Sequence, residues 1–270
     1  MDRLKSFLTT PVAVLIGCLV ISVAILISGG VIKVDSKTIG VKVADVQPSA
    51  VPTQQAPQQP VITLDQVKKA FSSSAIKFGD TNKKLIVLEI SDPSCPFCSI
   101  ASGQNSELNK EAGSRFTLVA DGGTYLAPVP EIEKLVKNGT ASFAWIYTPG
   151  HGNGEMGTKA MYCANEQGKF WEVHDLIMSA KGYDLMNNTV KNDKTKSGEM
   201  ADFLSSAADP AFMKSCLGSD KYDNRLKEDV GVAQSLGVSA TPGFFLNDAP
   251  FAGAYDYKDM EITVKTALGI

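Results

Sequence analysis

The chain has 270 residues, 44% of them hydrophobic and 20% charged, with a net charge of −3. That is enough material for one large domain or two small ones with a substantial core. No long run of lysine or arginine occurs, so a nucleic-acid partner has no electrostatic support.

Residues 7–32 carry no charge, and residues 11–32 would span about 33 Å as a helix, enough for a hydrocarbon layer of about 30 Å. They are read as a transmembrane anchor. Arg3 and Lys5 outweigh Asp2 before it, which leaves residues 1–10 in the cytoplasm and sends the rest outward. A cleaved signal peptide ending near Ser28 and Gly30 is the alternative. Leu15-Ile16-Gly17-Cys18 has the look of a lipoprotein box, but the apolar run continues well past Cys18, which favours a plain membrane-embedded cysteine. Residues 33–60, rich in proline and glutamine, cannot build a core and form an extended spacer.

The folded part begins near residue 61. Thr63 with Gln66 marks a helix start that turns Val67, Ala70 and Phe71 inward. Residues 85–90, with β-branched Ile86, Val87 and Ile90, form a buried strand, and a helix follows Cys95. Residues 115–120 read as a strand, Asp121-Gly122-Gly123-Thr124 with Pro128 and Pro130 as a loop, 131–137 as a helix and 142–147 as a strand. Apolar residues recur at helical spacing from 154 to 237, including a helix opening at Asp209-Pro210 and a last one over 221–236. Residues 238–246 return to strand, 251–253 give it a short partner, and 259–268 close with a helix. The fold class is therefore α/β, a domain of residues 61–153 and 238–270 with a helical insertion at 154–237.

Cysteine chemistry is concentrated at Cys95-Pro96-Phe97-Cys98, where the strand gives way to the helix. Pro96 suits a first helical position, since its missing N–H would have no partner there. Cys95 then occupies the N-cap region, where free N–H groups and the helix dipole favour thiolate, making it the attacking sulfur. Cys98, about one turn on, can close a ring with it and is the resolving thiol. The same spacing forms half of many zinc sites, but four ligands are required and the chain offers only His151 and His174, with Cys163 and Cys216 standing singly. In an oxidising compartment Cys163 and Cys216 would form a second pair; two buried free thiols are the alternative.

Three segments resemble the DsbA-like thiol-disulfide oxidoreductases of the thioredoxin superfamily. They are Val87-Leu88-Glu89-Ile90-Ser91-Asp92-Pro93-Ser94-Cys95-Pro96-Phe97-Cys98, the segment 163–175 with Phe170-Trp171-Glu172-Val173-His174-Asp175, and Gly237-Val238-Ser239-Ala240-Thr241-Pro242-Gly243-Phe244-Phe245-Leu246-Asn247. The resemblance implies a thioredoxin-like fold with an inserted helical subdomain behind the N-terminal transmembrane helix, acting outside the cytoplasm without a cofactor. It also implies that Cys95 is an exposed nucleophile and Cys98 its buried partner. Pro242 would follow a cis peptide facing them, and Thr241 would pair its main chain with clients; an ordinary trans turn is the alternative at that bond. Glu89 matches an acidic position beneath the site and would relay a proton for Cys98, unless it faces solvent at a sheet edge. His174 belongs to the insertion-helix signature as a structural residue, and His151 reads as a surface residue.

By the same resemblance, clients are reduced secreted proteins, and the reoxidant is a membrane quinone-linked partner of the DsbB or vitamin K epoxide reductase type. Phe97 departs from the histidine of the best-known oxidases, and it cannot donate to a thiolate. Reductase or isomerase action therefore stands beside oxidase action, and metal delivery by the same thiols is a further alternative. Residues 117–130 form a longer stretch than is usual for the family.

Overall fold

The computed structural model describes residues 61–270. The anchor and spacer expected over 11–60 lie outside them, as does Cys18; among the described residues no helix is long and apolar enough to cross a membrane.

A five-stranded mixed sheet in the order β1-β3-β2-β4-β5 organises the domain. Its centre is the parallel pair β2 (Leu85–Ser91) and β3 (Ala141–Tyr147), every residue of which is buried, as expected for strands covered on both faces. β1 (Ile76–Phe78) lies antiparallel to β3, β4 (Gly243–Leu246) to β2 and β5 (Ala249–Ala252) to β4.

Before the sheet, α1 (Leu64–Ser73) is opened by a capping box of Thr63 and Gln66. Its Val67, Ala70 and Phe71 pack with Ile86, Leu88, Ile90, Ala144 and Ile146 on one face of the sheet. The β2 to β3 crossover holds α2 (Pro96–Ser102), α3 (Ser106–Glu111) and α4 (Pro128–Lys137). Between β3 and β4 run α5 (Glu155–Glu166), α6 (Phe170–Met178), α7 (Ala180–Asp184), α8 (Ser197–Phe203), α9 (Pro210–Gly218) and α10 (Asp223–Ser235), and α11 (Tyr257–Leu268) ends the chain. Leu85, Val87, Phe143 and Trp145 on the second sheet face share one continuous core with Met161, Phe170, Val173 and Met213 of these helices. The helices are thus fixed to the sheet by burial of apolar surface.

Three local expectations need correction. Residues 115–120 are not a strand: Ser114–Phe116 and Val119–Asp121 are short 3₁₀ turns. Gly113 and Gly122 adopt positive φ on either side, and the chain doubles back so that Leu118 bridges only Tyr125. Of residues 238–246 only Gly243–Leu246 is strand, because Pro242 has no N–H to give a ladder. The helix expected over 131–137 begins at Pro128, whose ring fits a first turn. β1 was not anticipated at all.

Candidate active site

β2 delivers the chain into an Asx-type turn. The buried carboxylate of Asp92 accepts from Ser94 N at 2.8 Å and Ser94 Oγ at 2.7 Å, and its Oδ2 accepts from Gly150 N at 2.7 Å and His151 N at 2.8 Å. One side chain thus ties the turn before the thiols to the loop after β3. Asn153 N donates to Ser94 Oγ at 3.2 Å and Asn187 Nδ2 to Ser94 O at 3.3 Å, which adds the helical region to the clamp.

Cys95 is the N-cap of α2 and Pro96 follows within its first turn. Cys95 and Cys98 are free thiols. The resemblance implies an exposed nucleophile, but Cys95 is only 5% exposed and Cys98 is fully enclosed. Crowding explains the difference: a Cβ built on Gly150 would fall 3.4 Å from Cys95 Cβ and 2.0 Å from Thr241 Oγ1, so three chain segments converge on the sulfur. The Thr241–Pro242 peptide is cis, and Cys95 Sγ lies 3.5 Å from Thr241 O. Phe97 turns outward, 46% exposed, with its ring edge-on to Phe116 at 5.8 Å between centroids.

The two thiols are electrostatically unequal. The Cys98 thiol, the Thr241 side chain and the N–H groups of Cys98 and Phe97 stabilise charge on Cys95 and lower its pKa from 9.0 to about 6, against the opposing effect of burial. Burial, reinforced by the adjacent Cys95 sulfur, pushes Cys98 well up, although the Asp92 N–H reaches its Sγ at 3.4 Å. Below them Glu89 is fully enclosed on β2, and burial raises its carboxyl to about 7. An edge-facing, solvated Glu89 is therefore excluded.

His174 is buried in α6 and His151 is exposed on the loop beside Gly150. Cys163 and Cys216 are joined by a disulfide between α5 and α9, remote in sequence from the active thiols. Among the described residues no group of three His, Cys, Asp or Glu stands together as metal ligands. The roles of Asp92 and Gly150 were not read from the sequence. The Asp-Pro-Ser spacing of an Asx turn was the available signal.

The Thioredoxin_4 family model, described as thioredoxin, matches residues 129–266. The Na(+)/H(+) antiporter NhaA 3 of Salinispora tropica is 24% identical over 192 residues, 70% of this chain and 24% of that protein. The chain thus spans about a quarter of the length of the first curated relatives it matches. Disulfide bond formation protein D of Bacillus subtilis is 21% identical over 198 residues, covering 70% of this chain and 75% of that protein. Among solved structures, alpha-DsbA1 of Wolbachia pipientis superposes with a TM-score of 0.52 at 19% identity, over 72% of this chain and 90% of that one. The α/β architecture is thioredoxin-like.

Proposed function

This chain belongs to the Thioredoxin_4 family, among the DsbA-like thiol-disulfide oxidoreductases, and from that membership we propose that it oxidises dithiols of reduced client proteins outside the cytoplasm. In this proposal a client thiolate attacks Cys95, a mixed disulfide forms, Cys98 leaves, and a second client thiolate resolves the intermediate at the client sulfur. The observation that carries it is the inequality of the two thiols: Cys95 is lowered to about 6 at a helix N-cap while Cys98 is held protonated by burial. A low-pKa sulfur is a good leaving group, which makes the disulfide it shares oxidising. Thr241, beside the cis peptide, is assigned main-chain pairing with an extended client, and Glu89 the proton relay to Cys98.

The Cys163–Cys216 disulfide supports an oxidising compartment. Residues 11–32 are proposed as the membrane anchor and 33–60 as its spacer, with residues 61–153 and 238–270 as the catalytic domain and 154–237 as its insertion. A membrane quinone-linked protein is proposed as the reoxidant. Phe97, which has no donor to offer a thiolate, favours a second reading as reductase or isomerase.

Equilibration of Cys95 and Cys98 with glutathione buffers, alongside oxidation of a reduced test peptide by the pre-oxidised protein, tests both. A potential above about −150 mV with stoichiometric peptide oxidation supports the oxidase; a value near thioredoxin's, about −270 mV, overturns it in favour of the reductase.

A further inference from the structure

The sheet face beneath the thiols holds buried polar atoms that find no hydrogen-bond partner among the described residues: both carboxylate oxygens of Glu89, Ser91 Oγ, Trp145 Nε1 and His174 Nε2. A single such atom costs about 1–3 kcal/mol, so a group of them on one face calls for a chemical reason. Glu89 lies directly opposite Trp145 in the β2–β3 register, which puts the two side chains on the same face. The Trp145 ring meets the His174 ring edge-on at 5.7 Å between centroids. His174 Nδ1 is engaged by Asp175 Oδ1 at 3.0 Å, leaving Nε2 as the interior nitrogen.

Ser91 lies two residues along β2 from Glu89, on the same sheet face and next to the turn that carries the thiols; its hydroxyl makes no hydrogen bond at rest, but its position favours the charged form of both Glu89 and Cys98. The titratable groups on this face are Cys98 of α2, Tyr147 of β3 and His174 with Asp175 of α6. β4 presents the apolar Phe244 opposite Glu89, and α5 contributes the uncharged, buried Thr158. Among these groups His174 is the one whose positive charge favours the Glu89 carboxylate, without a direct hydrogen bond between the two side chains.

We propose that His174 is a positioning residue for thiol exchange: it partners the Glu89 carboxyl and, with the Ser91 hydroxyl between, governs when that carboxyl hands a proton to Cys98. This rests on the exchange chemistry proposed above and adds the residues that control its proton. Attack of an external thiolate on Cys95 Sγ forms one S–S bond and breaks the Cys95–Cys98 bond, whose electron pair leaves on Cys98. Cys98 takes the Glu89 proton by way of Ser91 Oγ and becomes a thiol, and Glu89 is left as a carboxylate stabilised by His174. A second external thiolate then attacks the external sulfur, completes the product disulfide and releases Cys95 as thiolate. Glu89 is reprotonated from solvent. The external dithiol has lost two electrons and two protons; Cys98 holds one proton and Glu89's replacement offsets the exchange, so one proton is released in total.

The test is the pH dependence of the rate at which dithiothreitol reduces the pre-oxidised full chain, for the unaltered protein, Glu89→Gln, His174→Gln and the double variant, with folding checked by circular dichroism. His174 favours the carboxylate, so removing it lets the Glu89 carboxyl keep its proton to higher pH. The inflection therefore moves upward by about one pH unit in His174→Gln. It disappears in Glu89→Gln, and the double variant matches Glu89→Gln alone. A folded His174→Gln protein that keeps the original inflection overturns the proposal. So does a double variant that differs from Glu89→Gln as much as His174→Gln differs from the unaltered protein. On the unaltered chain, the His174 ring signals in NMR change when Cys95–Cys98 is reduced; unchanged signals overturn the proposal even if the variants do not fold. Should these results hold while reduced client peptides are not oxidised, the oxidase assignment falls and the role of His174 stands.

Discussion

The two cysteine pairs of this protein are built from one side-chain type and behave oppositely. Cys95 and Cys98 sit at the mouth of α2, with helix N–H groups and the Thr241 side chain around the first sulfur. Cys163 and Cys216 lie within α5 and α9, 53 residues apart, where the backbone amides are already committed to the helices. Joined to each other, the two sulfurs serve as a covalent clamp between helices. Both Cys95 and Cys163 are buried, but Cys95 is a free thiol at a helix N-cap, where the local N–H groups help lower it to about 6, whereas Cys163 is held in a disulfide and does not titrate.

The sharpest way to break this contrast is to delete one sulfur at a time. Cys95→Ser is expected to lower dithiol oxidation by at least about 10³-fold, as removal of a nucleophile does. Cys98→Ser leaves the attacking sulfur but removes its internal partner, so when Cys95 attacks a disulfide-bonded test peptide and displaces one of its sulfurs, the mixed disulfide has no Cys98 to resolve it and accumulates, visible on non-reducing gels. The paired change Cys163→Ala with Cys216→Ala is expected to leave the exchange rate intact. Loss of exchange in that variant, or its survival in Cys95→Ser, would reverse the assignment of the two pairs.

The clamp has its own measurable consequence. On the loop-entropy account, a bridge across 53 residues stabilises the fold by at most about 4 kcal/mol, read as a lower urea midpoint when both cysteines are replaced. A midpoint that does not move would show that the packing of α5 on α9, with Met161 and Met213 in the shared core, suffices without the bond.

Protonation separates the pairs in a further way. In the reduced protein the Cys95 thiol titrates at about 6, below its ordinary 9.0. Its stabilising contribution is therefore complete above about 9, falls progressively at lower pH and is lost as pH drops through about 6. The Cys163–Cys216 disulfide contributes no such slope, since neither sulfur titrates. Thiolate absorbance near 240 nm should show the inflection, and the difference in melting temperature between reduced and oxidised protein should follow it. A reduced protein whose absorbance inflects near 9 removes the basis of the contrast.

Much of this was legible in the sequence, for identifiable reasons. β2 and β3 are continuous apolar runs, and Thr63-Leu64-Asp65-Gln66 and Asp209-Pro210 carry their helix signals within four residues. The N-cap placement of Cys95 followed from Pro96 alone. What escaped depends on contacts distant in sequence. The three residues of β1 are strand only because β3 lies beside them, and 115–120 has strand composition but no neighbouring strand to pair with. The enclosure of Cys95 comes from Gly150 and Thr241, 55 and 146 residues further along the chain, and no local pattern announces such a meeting.

Gly150 gives the smallest of these effects and the finest probe of that enclosure. A methyl group there would meet Thr241 Oγ1 at 2.0 Å and Cys95 Cβ at 3.4 Å. The hydroxyl can rotate away and the backbone can shift, so Gly150→Ala is expected to cost about 1–3 kcal/mol, the usual range for overpacking. Because the displaced groups flank the sulfur, part of that cost should appear in chemistry: a Cys95 inflection moved upward as Thr241 withdraws, and dithiol exchange slowed by about tenfold. Cys163 and Cys216 lie outside this contact, so their bond should resist reduction as before. If Gly150→Ala lowers stability without moving the Cys95 inflection, the loop after β3 merely covers the sulfur, and the charge on Cys95 is set by α2 alone.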